Sequence, residues 1–234
     1  MSTWQELERR FTERLNLTRR PVGVTFLDDE PSDIEKLSGT EPAGCGFWRR
    51  AAEGDSFYTV PADHYNCPIG SYTHNISLPA ERSHELTDML NLMFSSGYLR
   101  AEEVPGIFKL EKAPGAIAYA PLADSRRSPS VVLFVCRPNT AMLLNEAATR
   151  AGAGASLPVL GRPTCMALPA AMTKGTTTTA GCIGNRVYTG LGDDELYVVV
   201  PGTHLEQVAE ALDTVAGANV KLADFARGRQ AAFR

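Results

Sequence analysis

Each half of this chain carries two cysteines too far apart to form a local knuckle, so its fold must either scatter four thiols or bring them together. Cys45 and Cys67 have 21 residues between them, and Cys165 and Cys182 have 16. Each pair closes on a cysteine beside proline or glycine: Cys67-Pro68-Ile69-Gly70 in the first half, Gly181-Cys182-Ile183-Gly184-Asn185-Arg186 in the second. Thiolates gathered from separate segments bind a soft metal or an iron–sulfur cluster, or carry out redox chemistry.

At 234 residues the chain is long enough for one large domain, or for two small lobes sharing a core. Its 23 basic and 27 acidic residues leave a net charge of -4, with no dense Lys/Arg run. That speaks against a nucleic-acid partner. Arg49-Arg50 and Arg126-Arg127 read as solvated pairs. No apolar stretch approaches bilayer length, and Ser2-Thr3-Trp4-Gln5-Glu6 does not begin an apolar leader, so the expectation is a cytoplasmic protein without membrane contact. In that reducing setting an odd count of five cysteines points to thiols or metal ligands rather than a disulfide framework.

Periodicity outlines the elements. Trp4, Leu7, Phe11 and Leu15 mark a helix, with Ser2/Gln5 or Thr3/Glu6 as capping box. Pro21 ends that segment and Val22 to Leu27 reads as a buried strand. A short helix is expected from Gly46 to Ala52, and a strand from Phe57 to Val60. Pro68 suits the first position of a helix, which makes Cys67 its preceding residue. Leu86, Met89, Leu90, Met93 and Phe94 form an amphipathic stripe, with the methionines read as core filling. Ala116 to Ala120 and Val131 to Cys136 are strands, and Asn139 is expected to cap a helix reaching Arg150. Ala151 to Ser156 reads as a flexible connection. Leu196 to Val200 is another strand, followed by a Thr203/Glu206 capping box and a regular stripe from Leu205 to Ala216. A separate final helix is expected from Asn219.

These elements predict an α/β or α+β fold, a mixed sheet flanked by helices in one domain. Lobes of about residues 20–115 and 116–216 would share a central site. Each half repeats an apolar strand, a first cysteine, a Gly- or Pro-adjacent second cysteine and a later amphipathic helix, the pattern of two pseudo-symmetric halves.

On these residues the chain resembles the family catalogued as domain of unknown function 169. The resemblance rests on Pro21-Val22-Gly23-Val24, Cys45 followed by Arg50-Ala51-Ala52-Glu53-Gly54, Cys67-Pro68-Ile69-Gly70, Cys165-Met166-Ala167 and Gly181-Cys182-Ile183-Gly184-Asn185-Arg186. It implies that the four cysteines and Arg186 occupy family-typical positions and that Cys136 does not. It implies no activity.

Three chemistries fit these residues. The leading one is a metal or cluster site with Cys45, Cys67, Cys165 and Cys182 as ligands. A [4Fe–4S] cluster is favoured over zinc, because structural zinc usually draws on short-spaced ligand pairs. Such a protein would serve in electron transfer, sensing or an accessory role, with a redox partner. The second is a Cys67 nucleophile with His64 as base, the thiol activated at a helix N-terminus. His64 otherwise reads as a loop residue and His74 as a surface hydrogen-bonder, while His84 and His204 sit at helix starts. The third is a small-molecule binding protein or enzyme whose pocket lies between the halves. There Thr179, Gly184 and Arg186 would hold a small anion. Whether the chain is an enzyme stays open at this level, as does a homo-oligomer.

Overall fold

Strict alternation along Val131–Cys136 organises the molecule into layers. Val131, Leu133 and Val135 face one hydrophobic cluster, while Val132, Phe134 and Cys136 face another. A strand buried on both faces must lie between two layers of cover. The structure, a computed structural model, describes residues 2–154 and 159–233. Its six strands are β1 (Val22–Leu27), β2 (Phe57–Thr59), β3 (Ala116–Pro121), β4 (Val131–Cys136), β5 (Thr177–Thr179) and β6 (Leu196–Pro201). They form one open sheet in the order β2-β3-β1-β4-β6-β5, and every neighbouring pair is antiparallel.

The back face is covered by α1 (Trp4–Leu15), α5 (Pro138–Arg150) and α8 (Leu205–Ala232), which bury Leu7, Phe11, Leu144, Val208 and Leu212 against the sheet. The front face carries α2 (Gly44–Glu53), α3 (Pro68–Thr73), α6 (Ala167–Lys174) and α7 (Ile183–Thr189), with α4 (His84–Ser95) lying against α3. Phe47 and Trp48 of α2 and Leu168 and Ala171 of α6 are buried on this side. Among the described residues no helix is long and apolar enough to cross a membrane.

The strand order repeats across the β1–β4 pair. Reading outward, β1-β3-β2 of the first half matches β4-β6-β5 of the second. The registers agree as well. Pro121 lies opposite the first residue of β1 and Pro201 opposite the first residue of β4, and each proline leads into a 3-10 turn. Phe57 pairs with Tyr119 as Thr177 pairs with Val199. Outside each edge strand the chain adds a parallel contact: Leu37 N–H donates to Tyr58 O and Leu160 N–H to Thr178 O, both at 2.8 Å. A twofold axis normal to the sheet relates the two strand triplets and leaves each face on its own side.

Several expectations need correcting. Among the described residues every strand pair is antiparallel, so the sheet is antiparallel rather than mixed; helices flank it as expected. The α4 stripe buries none of its residues, and Met89 and Leu92 are exposed, so these side chains do not fill the core. Arg137, not Asn139, precedes α5, because Pro138 takes the first helical position. The Thr203/Glu206 box does not form: Glu206 instead accepts from Ser2 N, and Thr203 bonds His204. The expected break at Asn219 is absent, and α8 runs unbroken for 28 residues. Thr3 proves to be the α1 cap, accepting from Glu6 N at 3.2 Å. Of the connection expected over Ala151 to Ser156, Ala155 and Ser156 lie outside the described residues, while Ala153 is buried.

Candidate functional site

All four motif cysteines stand at or near the start of a helical segment on the front face. Cys45 is the second residue of α2. Cys67 directly precedes α3, whose first residue is Pro68. Cys165 occupies a 3-10 turn, Thr164–Met166, that leads into α6. Cys182 directly precedes α7. The internal repeat governs their placement. Cys45 lies 12 positions before Phe57, the first residue of β2, and Cys165 lies 12 positions before Thr177, the first residue of β5. Cys67 follows β2 by 8 positions and Cys182 follows β5 by 3, the difference being taken up by the 3-10 turn Pro61–His64. Each half therefore contributes one cysteine before its edge strand and one after.

The helices carry these cysteines to a common region. α2 lies against both α3 and α7, and α3 lies against the turn holding Cys165. Cys165 Sγ is 4.0 Å from Ile69 O in α3. The Cys182 N–H donates to Thr164 Oγ1 at 2.5 Å, joining the second cysteine of that half to the first. All six pairings of the four thiols are close enough for the charge of one to act on another. Cys136 has no such neighbour; it sits in the back layer, 2% exposed. Among the described residues, no three His, Cys, Asp or Glu side chains converge closely enough to hold a single metal ion.

Burial dominates the protonation of Cys45, Cys67 and Cys165. It pushes Cys45 up to about 12, with the charges of Cys67 and Cys182 adding to the rise and Asn185 opposing it. Cys165 is raised well above the ordinary thiol value, again mainly by burial. At Cys67 burial also raises the pKa, against the backbone N–H groups of Gly44 and Gly70, which favour the thiolate. Gly70 is needed for that approach, since a Cβ there would lie 2.9 Å from Cys67 Sγ. Without a ligand to hold them as anions, these three thiols stay protonated at neutral pH.

Polar side chains that spacing alone did not single out border the same region. Tyr119 on β3 is 1% exposed, its hydroxyl has no hydrogen-bond partner among the described residues, and the charges of Cys165 and Cys45 reach it. Asn185, three positions after Cys182, is 2% exposed with both amide atoms unpartnered. The available signal was alternation on β3, which puts Ile117 and Tyr119 on the front face, and the helical offset of Asn185 from Cys182.

The two other chemistries fare differently. His64 is not a loop residue at the surface; it is 1% exposed, and its Nε2 lies 2.9 Å from Thr59 Oγ1. Its Nδ1 has no hydrogen-bond partner among the described residues, so His64 and Cys67 are not hydrogen-bonded to each other. His74 is also buried, with Nδ1 2.7 Å from Gly70 O, and the two imidazole centroids are 5.6 Å apart. Arg186 is not a free anion clamp. Its guanidinium donates to Gly192 O at 2.7 Å, Ala180 O at 2.6 Å and Glu195 O at 3.3 Å, stapling the chain on either side of α7. Thr179 is fully buried in β5 and accepts from Gly181 N, while Gly184 lies in α7 with only Tyr188 near its α-carbon face.

An open antiparallel sheet with a duplicated strand plan, and four cysteines collected from two halves onto one face, defines a thiol-centred α/β protein. The chain belongs to the family described as uncharacterised ArCR, domain of unknown function 169, whose model matches residues 10–211. No curated protein and no solved structure matches it.

Proposed function

We propose that this is a cysteine-ligated metalloprotein that holds a [4Fe–4S] cluster through Cys45, Cys67, Cys165 and Cys182. The supporting observation is that four thiols, two from each half, fall within one another's electrostatic reach, while the fifth cysteine stands apart on the opposite face. A tetrahedral zinc ion, with Zn–S bonds of about 2.3 Å, needs its sulfurs within about 3.8 Å of one another. The thiols here are more widely set, since no three ligands among the described residues meet at a single ion. A cubane asks for less convergence, because each iron takes its own thiolate. The Gly44 and Gly70 N–H groups aimed at Cys67 Sγ, and the unpartnered Tyr119 and Asn185, are donors suited to sulfur ligands that carry charge.

When bound, the cluster would supply one-electron chemistry, which suits electron transfer, redox sensing or an accessory role in the cytoplasm beside a redox partner. The chain's own part is to exclude water and keep the ligands fixed. Because burial raises the Cys45 thiol to about 12, loading must release thiol protons and should be tighter at higher pH. Small-anion binding is the weaker reading, since three of the Arg186 N–H groups are already committed to carbonyls.

The test is metal and sulfide analysis with an absorption spectrum on protein purified without air. About four irons and four sulfides per chain are expected for a cubane. The brown chromophore should be lost in any one of Cys45→Ser, Cys67→Ser, Cys165→Ser and Cys182→Ser, and kept in Cys136→Ser. Protein that takes up neither iron nor sulfide would refute the reading, and one zinc per chain would replace it.

A further inference from the structure

Asn185 poses a problem of its own. An amide buried without hydrogen bonds gives up its hydration with nothing in return at either end. Here both ends of the amide lie in that state, at 2% exposure. Its surroundings are Cys45 of α2, Tyr197 of β6 and the backbone of Gly181. Gly181 holds φ at +79°, and a Cβ there would come within 3.0 Å of Asn185 Oδ1 and 2.8 Å of a Leu191 methyl. The turn before Cys182 is thus shaped to admit the amide. The neighbouring Tyr197 hydroxyl bonds Thr189 Oγ1 at 3.2 Å and lies near the amide, but makes no hydrogen bond to it. A neutral Cys45 thiol gives the amide little reason to be there, whereas a thiolate is a strong acceptor in a dry site.

We infer that Asn185 is a positioning residue whose Nδ2 donates an N–H···S hydrogen bond to the Cys45 thiolate of the loaded protein, raising the reduction potential of the site. This rests on the cluster reading above. The bond strengthens as negative charge on the sulfur grows, so it favours the reduced over the oxidised form. It also makes the two halves unequal. Three positions after Cys67 stands Gly70, which has only a backbone N–H to offer its own cysteine, whereas three positions after Cys182 stands a side-chain donor for Cys45. The thiol centre is therefore symmetric in its ligands and asymmetric in the donors around them.

The experiment is an anaerobic redox titration of wild type, Asn185→Leu and Asn185→Asp, with iron and sulfide measured on each sample. Leucine removes the donor at similar volume; aspartate, once ionised at the pH of the titration, keeps the shape but offers only acceptors and a negative charge. The reduction equilibrium constant should fall about tenfold in the leucine variant, which is about 59 mV for one electron, and further in the aspartate variant. Resonance Raman should show a shifted Fe–S(Cys) stretch in both. If the leucine protein does not fold, the isosteric aspartate variant decides the matter alone. A fully loaded variant with an unchanged potential overturns the role of Asn185 and leaves the cluster standing. Wild type without iron overturns both.

Discussion

Replacing Cys136 by alanine should change the pH dependence of stability and, on the proposed cluster reading, leave iron uptake intact. Cys136 ends β4 in the back layer, 2% exposed, and burial pushes its thiol from 9.0 up to about 12, with the Thr140 hydroxyl opposing part of the rise. A group whose folded pKa is raised stabilises the fold fully below its unfolded pKa and loses that contribution as pH rises toward the folded one. Between pH 9 and 12 the unfolded thiol ionises and the folded one does not, which costs the wild type about 1.4 kcal/mol per pH unit. Cys136→Ala escapes that loss but gives up a buried sulfur, a penalty of about 1 kcal/mol. The variant should therefore be about 1 kcal/mol less stable than wild type at pH 8, equal to it near pH 10 and more stable beyond. The other buried thiols are common to both proteins and cancel in the difference. Urea unfolding of the metal-free proteins under reducing conditions, at half-unit steps from pH 8 to 10.5, measures it. A difference that stays constant over that range would mean that Cys136 is not held as a buried neutral thiol. Loss of iron from this variant would mean that the ligand set has been misassigned.

Three further outcomes follow from named contacts. His64 and His74 are buried and held neutral; desolvation drives the lowered pKa of both, with His74 brought down to about 4. Groups depressed in this way stabilise the fold above their unfolded pKa of 6.5, so stability should fall as the pH drops from 6.5 toward 4. His74 alone should lose about 2 kcal/mol by pH 5, and unfolding midpoints that match at pH 7.5 and pH 5 would contradict its burial. Gly70→Ala puts a Cβ 2.9 Å from Cys67 Sγ, so iron content should drop severalfold while the circular dichroism spectrum is retained; full loading would show that Cys67 has room to move. Arg186→Met removes three charge-assisted bonds to backbone carbonyls and should cost about 2–4 kcal/mol by urea unfolding. An unchanged midpoint would return the guanidinium to the role of a ligand clamp.

Much of the local structure was legible from side-chain pattern. The β1 and β4 limits, the Pro68 start of α3 and the α1 stripe each depend on a few neighbouring residues: alternation for strands, 3.6-residue spacing for helices, and proline where no N–H is needed. Where the reading failed, a distant contact outweighed the local signal. Glu206 binds Ser2 across the molecule instead of capping its own helix, and Asn219 bonds Val215 O within an unbroken α8. The α4 stripe looked like core because periodicity reports amphipathicity, not whether another surface arrives to cover it.

The sequence alone determined the cysteine inventory: Cys45 and Cys67 in the first half, Cys165 and Cys182 in the second, and Cys136 apart from that pattern. It could not decide whether they meet, because Cys45 and Cys182 are 137 positions apart and only the sheet connects them. In the tertiary structure, strand pairing gathers them on one side of the sheet. The antiparallel β1–β4 contact turns one strand triplet onto the other about an axis normal to the sheet, which keeps all four cysteine-bearing turns on the front face. The same packing assigned Arg186 to three carbonyls and buried His64, since a side chain's partners depend on what the fold places around it.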